Sequence, residues 1–128
     1  MSEFVDKISK MKSFRSRKPA SMEQIENAED ELGVSFANEY KQYLLAYGAA
    51  SIFGHEFTGI SSSSRISVVD VTLEEREFND INDDLYVVEQ TNIDGIVIWQ
   101  DSKGNIYKSQ PGSDAQKICY SLAEYINQ

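Results

Sequence analysis

Cysteine and histidine occur once each in the 128 residues, and proline only twice. A single cysteine excludes an internal disulfide framework and a cysteine-based zinc cage. The one histidine lies in Phe53-Gly54-His55-Glu56-Phe57, so the paired-histidine HExxH metal motif is absent. Basic residues are scarce: 12 Lys and Arg stand against 21 Asp and Glu, a net charge of −9. Phosphate-backbone binding rests on concentrated Lys and Arg, so nucleic acid is not an expected partner. No apolar run approaches a membrane span and no apolar leader follows the N-terminus, so the expectation is a cytoplasmic chain without a membrane partner. Neither Gly54 nor Gly59 is followed by a Gly-Lys-Ser/Thr ending, which excludes a phosphate loop. What is present, 41% hydrophobic residues and 14 aromatic side chains, excludes a disordered chain. At this length one domain with a radius of gyration of about 14 Å is expected.

The charge is unevenly placed. Residues 1–18 hold six basic and two acidic side chains, a local +4; the remaining 110 hold six basic and 19 acidic, a local −13. Glu3 and Asp6 make a transit peptide a poor reading of the basic arm, which is expected to be a first helix and linker. One acidic block is Glu23, Glu26, Glu29, Asp30 and Glu31; the other, Asp70 to Asp94, has nine acids against Arg76 alone. Such blocks are ordinarily solvated faces, but the second carries more repulsion than solubility requires and points toward a basic partner.

Helices are expected where apolar residues recur at helical spacing. Phe4, Ile8 and Met11 mark the first. Ser21 and Gln24 form a capping box opening a second helix, with Met22, Ile25, Ala28 and Leu32 in its stripe and Gly33 at its end. Tyr40, Tyr43, Leu44 and Tyr47 mark a third, ending at Gly48. This aromatic stripe reads first as core with its hydroxyls at the surface, and second as a recognition surface. Thr72 and Glu75 read as a capping box for a short helix through Phe78, and Ser121 and Glu124 as one for a final helix over 122–127. Strands are expected over Ile52–Phe57, Ile66–Val71, Leu85–Gln90, Ile96–Trp99 and Ile106–Ser109. Asp94-Gly95 and the 101–105 segment supply hairpin turns. Ser61–Ser64 reads as a loop. The fold class is therefore α+β: N-terminal helices packed on a twisted, mainly antiparallel sheet, with a C-terminal helix. Residues 1–20 form an N-terminal helix and basic linker belonging to the same domain as 21–128.

Several groups invite a chemical reading. His55 and Cys119 could form a thiol dyad, but a strand-surface histidine and a small buried hydrophobe between Ile118 and Tyr120 are the plainer readings. Asp94 followed by Asp101-Ser102-Lys103 echoes the carboxylates and lysine of metal-dependent nucleases. The two aspartates, however, occupy turns at opposite ends of one strand, about 20 Å apart. Asp80, Asp83 and Asp84 lack the spacing of a calcium loop. Glu74 and Glu75 point about 100° apart on a helix and cannot act as a dyad. No catalytic residue, metal ligand or cofactor is expected.

The stretch Ile25-x-x-Ala28-Glu29-x-x-Leu32-Gly33-Val34-x-Phe36-x-x-Glu39-Tyr40-Lys41-x-Tyr43-Leu44-x-x-Tyr47-Gly48 closely resembles the opening of the SUKH superfamily, or Smi/Knr family. Ile52-Phe53-Gly54, Gly59, Val69-x-x-Thr72-x-x-x-Arg76, Tyr86–Glu89, Asp94-Gly95, Ile96–Trp99, Ile106–Lys108 and Ser121-Leu122-Ala123-Glu124-Tyr125 continue the likeness over about residues 22–126. One departure is Phe36-Ala37, where the family usually has Leu-Pro. The resemblance implies a non-enzymatic protein. Bacterial members are mostly immunity proteins that neutralise a cognate toxin, often a nuclease, whereas fungal members are regulatory hubs in longer chains. A 128-residue domain without flanks resembles the bacterial kind. The expected partner is thus a toxin with a basic surface, met by Glu74, Glu77, Asp80, Asp83 and Asp84; the oligomeric state is left open. The alternative is a regulatory scaffold, or a module binding a small ligand in a concave sheet.

Overall fold

The computed structural model describes residues 3–127. Three helices come first in the chain: α1 (Glu3–Ser9), α2 (Met22–Leu32) and α3 (Asn38–Tyr47). Ser21 accepts from Gln24 N–H while the Gln24 side chain accepts from Ser21 N–H, so the expected capping box opens α2. Gly33 closes it in the left-handed conformation, φ +68°. Gly48, φ +71°, closes α3, and a Cβ there would lie 1.9 Å from the Lys18 carbonyl oxygen. Only glycine lets the 18–20 segment pass this closely.

Between α1 and α2 lies β1 (Arg15–Ser16), which pairs with β2 (Ala50–Ile52), itself paired with β3 (His55–Glu56). The single strand expected over Ile52–Phe57 is therefore a hairpin. Phe53 and Gly54, the latter at φ +84°, make its turn. A second sheet has the order β4 (Tyr86–Gln90), β5 (Val97–Gln100), β6 (Ile106–Gln110) and β7 (Ser113–Cys119), antiparallel throughout. The sequence reading missed β7, although Pro111-Gly112, with glycine at φ +82°, is the proline-glycine pair of a tight turn. The chain ends in α5 (Leu122–Tyr125), capped by Ser121. Its Glu124 accepts from Tyr120 N–H, so the reciprocal half of the expected capping box is displaced by one residue.

The larger correction concerns residues 66–78. The expected strand Ile66–Val71 and the helix opening at Thr72 are instead one helix, α4 (Val68–Phe78), capped by Ser67 accepting from Asp70 N–H. Val68, Val71 and Thr72 are buried at helical spacing, so packing overrides the strand preference of the valines. Ser67-Val-Val-Asp70 was the available cap signal. Thr72 caps nothing; its hydroxyl accepts from Val87 N–H at 3.0 Å.

Both faces of β4 and β5 are covered. Tyr86, Val88, Ile98 and Ile106 join the core beneath α1 to α3. Val87, Val97 and Trp99 pack with Leu85 and with Val71 of α4 on the other side. Phe4, Val5 and Ile8 of α1 belong to the first core. The two sheets meet at Thr58, which is 3% exposed. Its N–H donates to Val88 O and its hydroxyl to Val87 O, at the irregularity where the β4 register shifts between Val87 and Glu89. Because that hydroxyl proton is committed, Tyr40 donates to Thr58 Oγ1, at 2.8 Å, and Tyr43 donates to Thr58 O. Tyr47 donates to Val5 O. The tyrosine stripe is therefore core, as first read, but its hydroxyls bond inside rather than reaching the surface. Burial drives the Tyr40 and Tyr43 hydroxyls well above the ordinary phenol range.

Candidate functional site

The residues that carried the family likeness mostly hold the frame together. Glu29 accepts from Phe36 N–H at 2.7 Å and pairs with Lys41 at 3.6 Å. Glu39 accepts from Leu122 N–H, Ala123 N–H and Gln100, joining α3 to the start of α5. Burial raises its pKa against the opposing pull of those bonds. Ala37, standing where the family usually has proline, donates its N–H to Tyr86 Oη at 2.8 Å, a bond proline could not make. Arg76, the lone base among the acids, reaches inward to the carbonyls of Leu32, Asp83 and Leu85. Its Nε is buried without a partner.

With Arg76 withdrawn, the outward face of α4 is acidic and apolar. Asp70, Leu73, Glu74 and Glu77 are exposed at spacings of three, four and seven residues, which place them on one helix face. Phe78, the last residue of α4, is 76% exposed. Glu75 is held inward by Gln90 and Asn79.

Phe78 stands between two recesses. One, of about 420 Å³, is lined by Glu75, Gln90, Asn92, Ile96 and Pro111 among others. The other, of about 230 Å³, includes Asp80, Ile81, Pro111 and Asp114. Neither is lined by a basic side chain. All five residues expected to meet a partner are exposed: Glu74, Glu77, Asp80, Asp83 and Asp84. The structure does not gather them at one place. Glu74 and Glu77 share the α4 face, and Asp80 shares a recess with Phe78. Asp84 lines a different recess, of about 440 Å³, with Glu29 and Asp30. That recess joins the two acidic blocks of the sequence. The reading missed Phe78, Leu73 and Asp114.

The chemical candidates resolve differently. His55 Nδ1 lies 3.0 and 3.2 Å from the two carboxylate oxygens of Glu89. Glu89, 3% exposed, also accepts from Tyr125 Oη at 2.6 Å and from Glu56 N–H. This is a half-buried, partnered histidine rather than a plain surface one. Cys119 donates to Ser121 O, and burial pushes its thiol pKa up, away from the reactive thiolate. Burial would raise the Asp101 pKa, but bonds from Asn105, Tyr107 and Lys103 N–H outweigh it and hold the carboxyl below its ordinary value. That carboxylate faces its own turn. Among the described residues, no three His, Cys, Asp or Glu side chains converge to hold a metal ion, and no helix is long and apolar enough to cross a membrane.

No curated protein matches the sequence. A family model, SUKH_5, described as SMI1-KNR4 cell-wall, matches residues 1–128. The chain belongs to the SMI1-KNR4 family.

Proposed function

We infer that the protein is a cytoplasmic, non-catalytic immunity protein that neutralises a cognate toxin by stoichiometric binding. The toxin presents a basic, substrate-binding surface of the kind a nuclease carries. The observation that carries this reading is the face around α4: Glu74, Glu77 and Asp80 beside the exposed Leu73 and Phe78, with Arg76 turned inward. Apolar anchors ringed by acids suit a partner of opposite charge. The aromatic side chain supplies most of the binding energy, and the carboxylates supply steering and register. Capture by steering suits an inhibitor that must act before its target does.

Co-expression with the product of the reading frame next to this gene, where that product arrests growth when expressed alone, tests this. Growth should be restored, and the two chains should purify as a complex of fixed stoichiometry. Growth arrest despite good expression of both chains would refute the reading. A second reading, a regulatory scaffold, draws on the family's cell-wall description. It would show as a stable complex with a host protein and no effect on toxicity. If purified chain consumed a substrate, and the triple substitution of His55, Cys119 and Asp101 abolished that turnover, the non-catalytic assignment would fall.

A further inference from the structure

The basic arm has no part in the acidic face. Alternation along β1 and its extension places Arg15 and Arg17 on one side of the strand. The register continues that side across the sheet: Arg15 lies opposite Ser51, and Ser51 opposite Glu56. Both terminal nitrogens of Arg65 already engage the Glu56 carboxylate. Arg15 and Arg17 are exposed, and among the described residues neither forms an ion pair. The chain holds 21 acidic side chains, yet these two arginines on one side of the strand are left without an acidic partner among the described residues.

They border a recess of about 460 Å³ with Phe57 and Ile66 in its lining and Ser51 and Glu56 beside them. That volume falls within the roughly 300–1,000 Å³ of small-molecule sites. A neighbouring recess of about 610 Å³ shares Arg17 and adds Lys18, Ser61 and Ser62. The backbone here is held in place: Arg17 N–H donates to Ala49 O at 2.9 Å, and the Lys18 carbonyl lies against Gly48.

We propose that this recess binds a small phosphate-bearing molecule, with Arg15 and Arg17 holding the phosphate and the serine hydroxyls adding donors. Guanidinium forks match phosphate oxygens in pairs, and a dianion supplies the negative charge that both unpaired arginines lack. Size decides against a polynucleotide. An extended polyanion would run onto the acidic remainder of the chain, whereas a small dianion meets only the arm.

Two-dimensional amide NMR of the full chain tests this, with pyrophosphate titrated at constant ionic strength. Saturable shifts are expected at residues 15–18, 50–57 and 61–65. Arg15→Gln with Arg17→Gln should weaken binding at least about tenfold. Glu56→Gln removes the one carboxylate in the lining and releases Arg65, so binding should tighten, an outcome that a damaged fold cannot produce. Lys103→Gln with Lys108→Gln should change nothing. Shifts that fail to saturate, or that chloride reproduces, would overturn the site. So would unchanged affinity in the double arginine variant or in Glu56→Gln. Acetate or citrate binding as tightly as pyrophosphate would overturn the assignment to phosphate.

Discussion

Thr58 shows how much one small side chain can hold together. Its hydroxyl accepts from Tyr40 and donates to Val87 O, and its backbone ties to Tyr43 and Val88. Thr58→Val keeps the shape but leaves a buried tyrosine hydroxyl and a buried carbonyl unpaired, which should lower stability by about 2–4 kcal/mol. Urea denaturation measures this, and a loss under about 0.5 kcal/mol, the ordinary scale of a surface change, would show that the hydroxyl relay is not load-carrying. His55 offers a pH-dependent counterpart. The Glu89 hydrogen bond raises the imidazole pKa above its ordinary 6.5, against burial, which lowers it. A raised pKa in the folded state means the stabilisation is complete below the unfolded value and fades as pH rises through the folded one. His55→Gln should therefore cost most stability below about pH 6.5 and least in the alkaline range. A stability gap that stays constant or widens with rising pH would contradict the pairing.

At the scale of elements, α4 is where the sequence reading and the structure part most. The α2 cap at Ser21, its stop at Gly33 and the Asp94-Gly95 turn were legible because each rests on local chemistry. The start of α4 was harder to read, because the strand preference of Val68, Val69 and Val71 masks the Ser67 cap signal and burial against β4 tips the segment to helix. β7 was missed for another reason: its pattern is mostly exposed and lacks apolar alternation. At the site, the exposure of Glu74, Glu77, Asp80, Asp83 and Asp84 could be read from their place in a polar segment. The exposure of Phe78 and the inward reach of Arg76 depended on where α4 ends and packs. Arg76→Ala should loosen α4 from the end of α2, lowering stability by about 2–4 kcal/mol through lost charge-assisted bonds. Arg76→Lys should restore only part of this, since a point charge cannot span three carbonyls. Thermal unfolding checks both, and full rescue by lysine would show that charge alone matters.

For the whole molecule, the net charge of −9 resolves into two surfaces of opposite charge. The basic arm borders the recess at Arg15 and Arg17, while the acids surround Phe78 and join α2 to the β4 approach. Steering between such a surface and a basic toxin acts mainly on the association rate and weakens with salt, whereas burial of an anchor acts on dissociation. Phe78→Ala should therefore accelerate dissociation. The most direct measurement is stopped-flow association of the cognate toxin at low and high salt. It compares the wild type with the triple variant Glu74→Lys, Glu77→Lys, Asp80→Lys. At low salt the variant should associate at least about tenfold more slowly, and the difference should shrink as salt rises. Equal association rates at low salt, with unchanged affinity, would contradict the account.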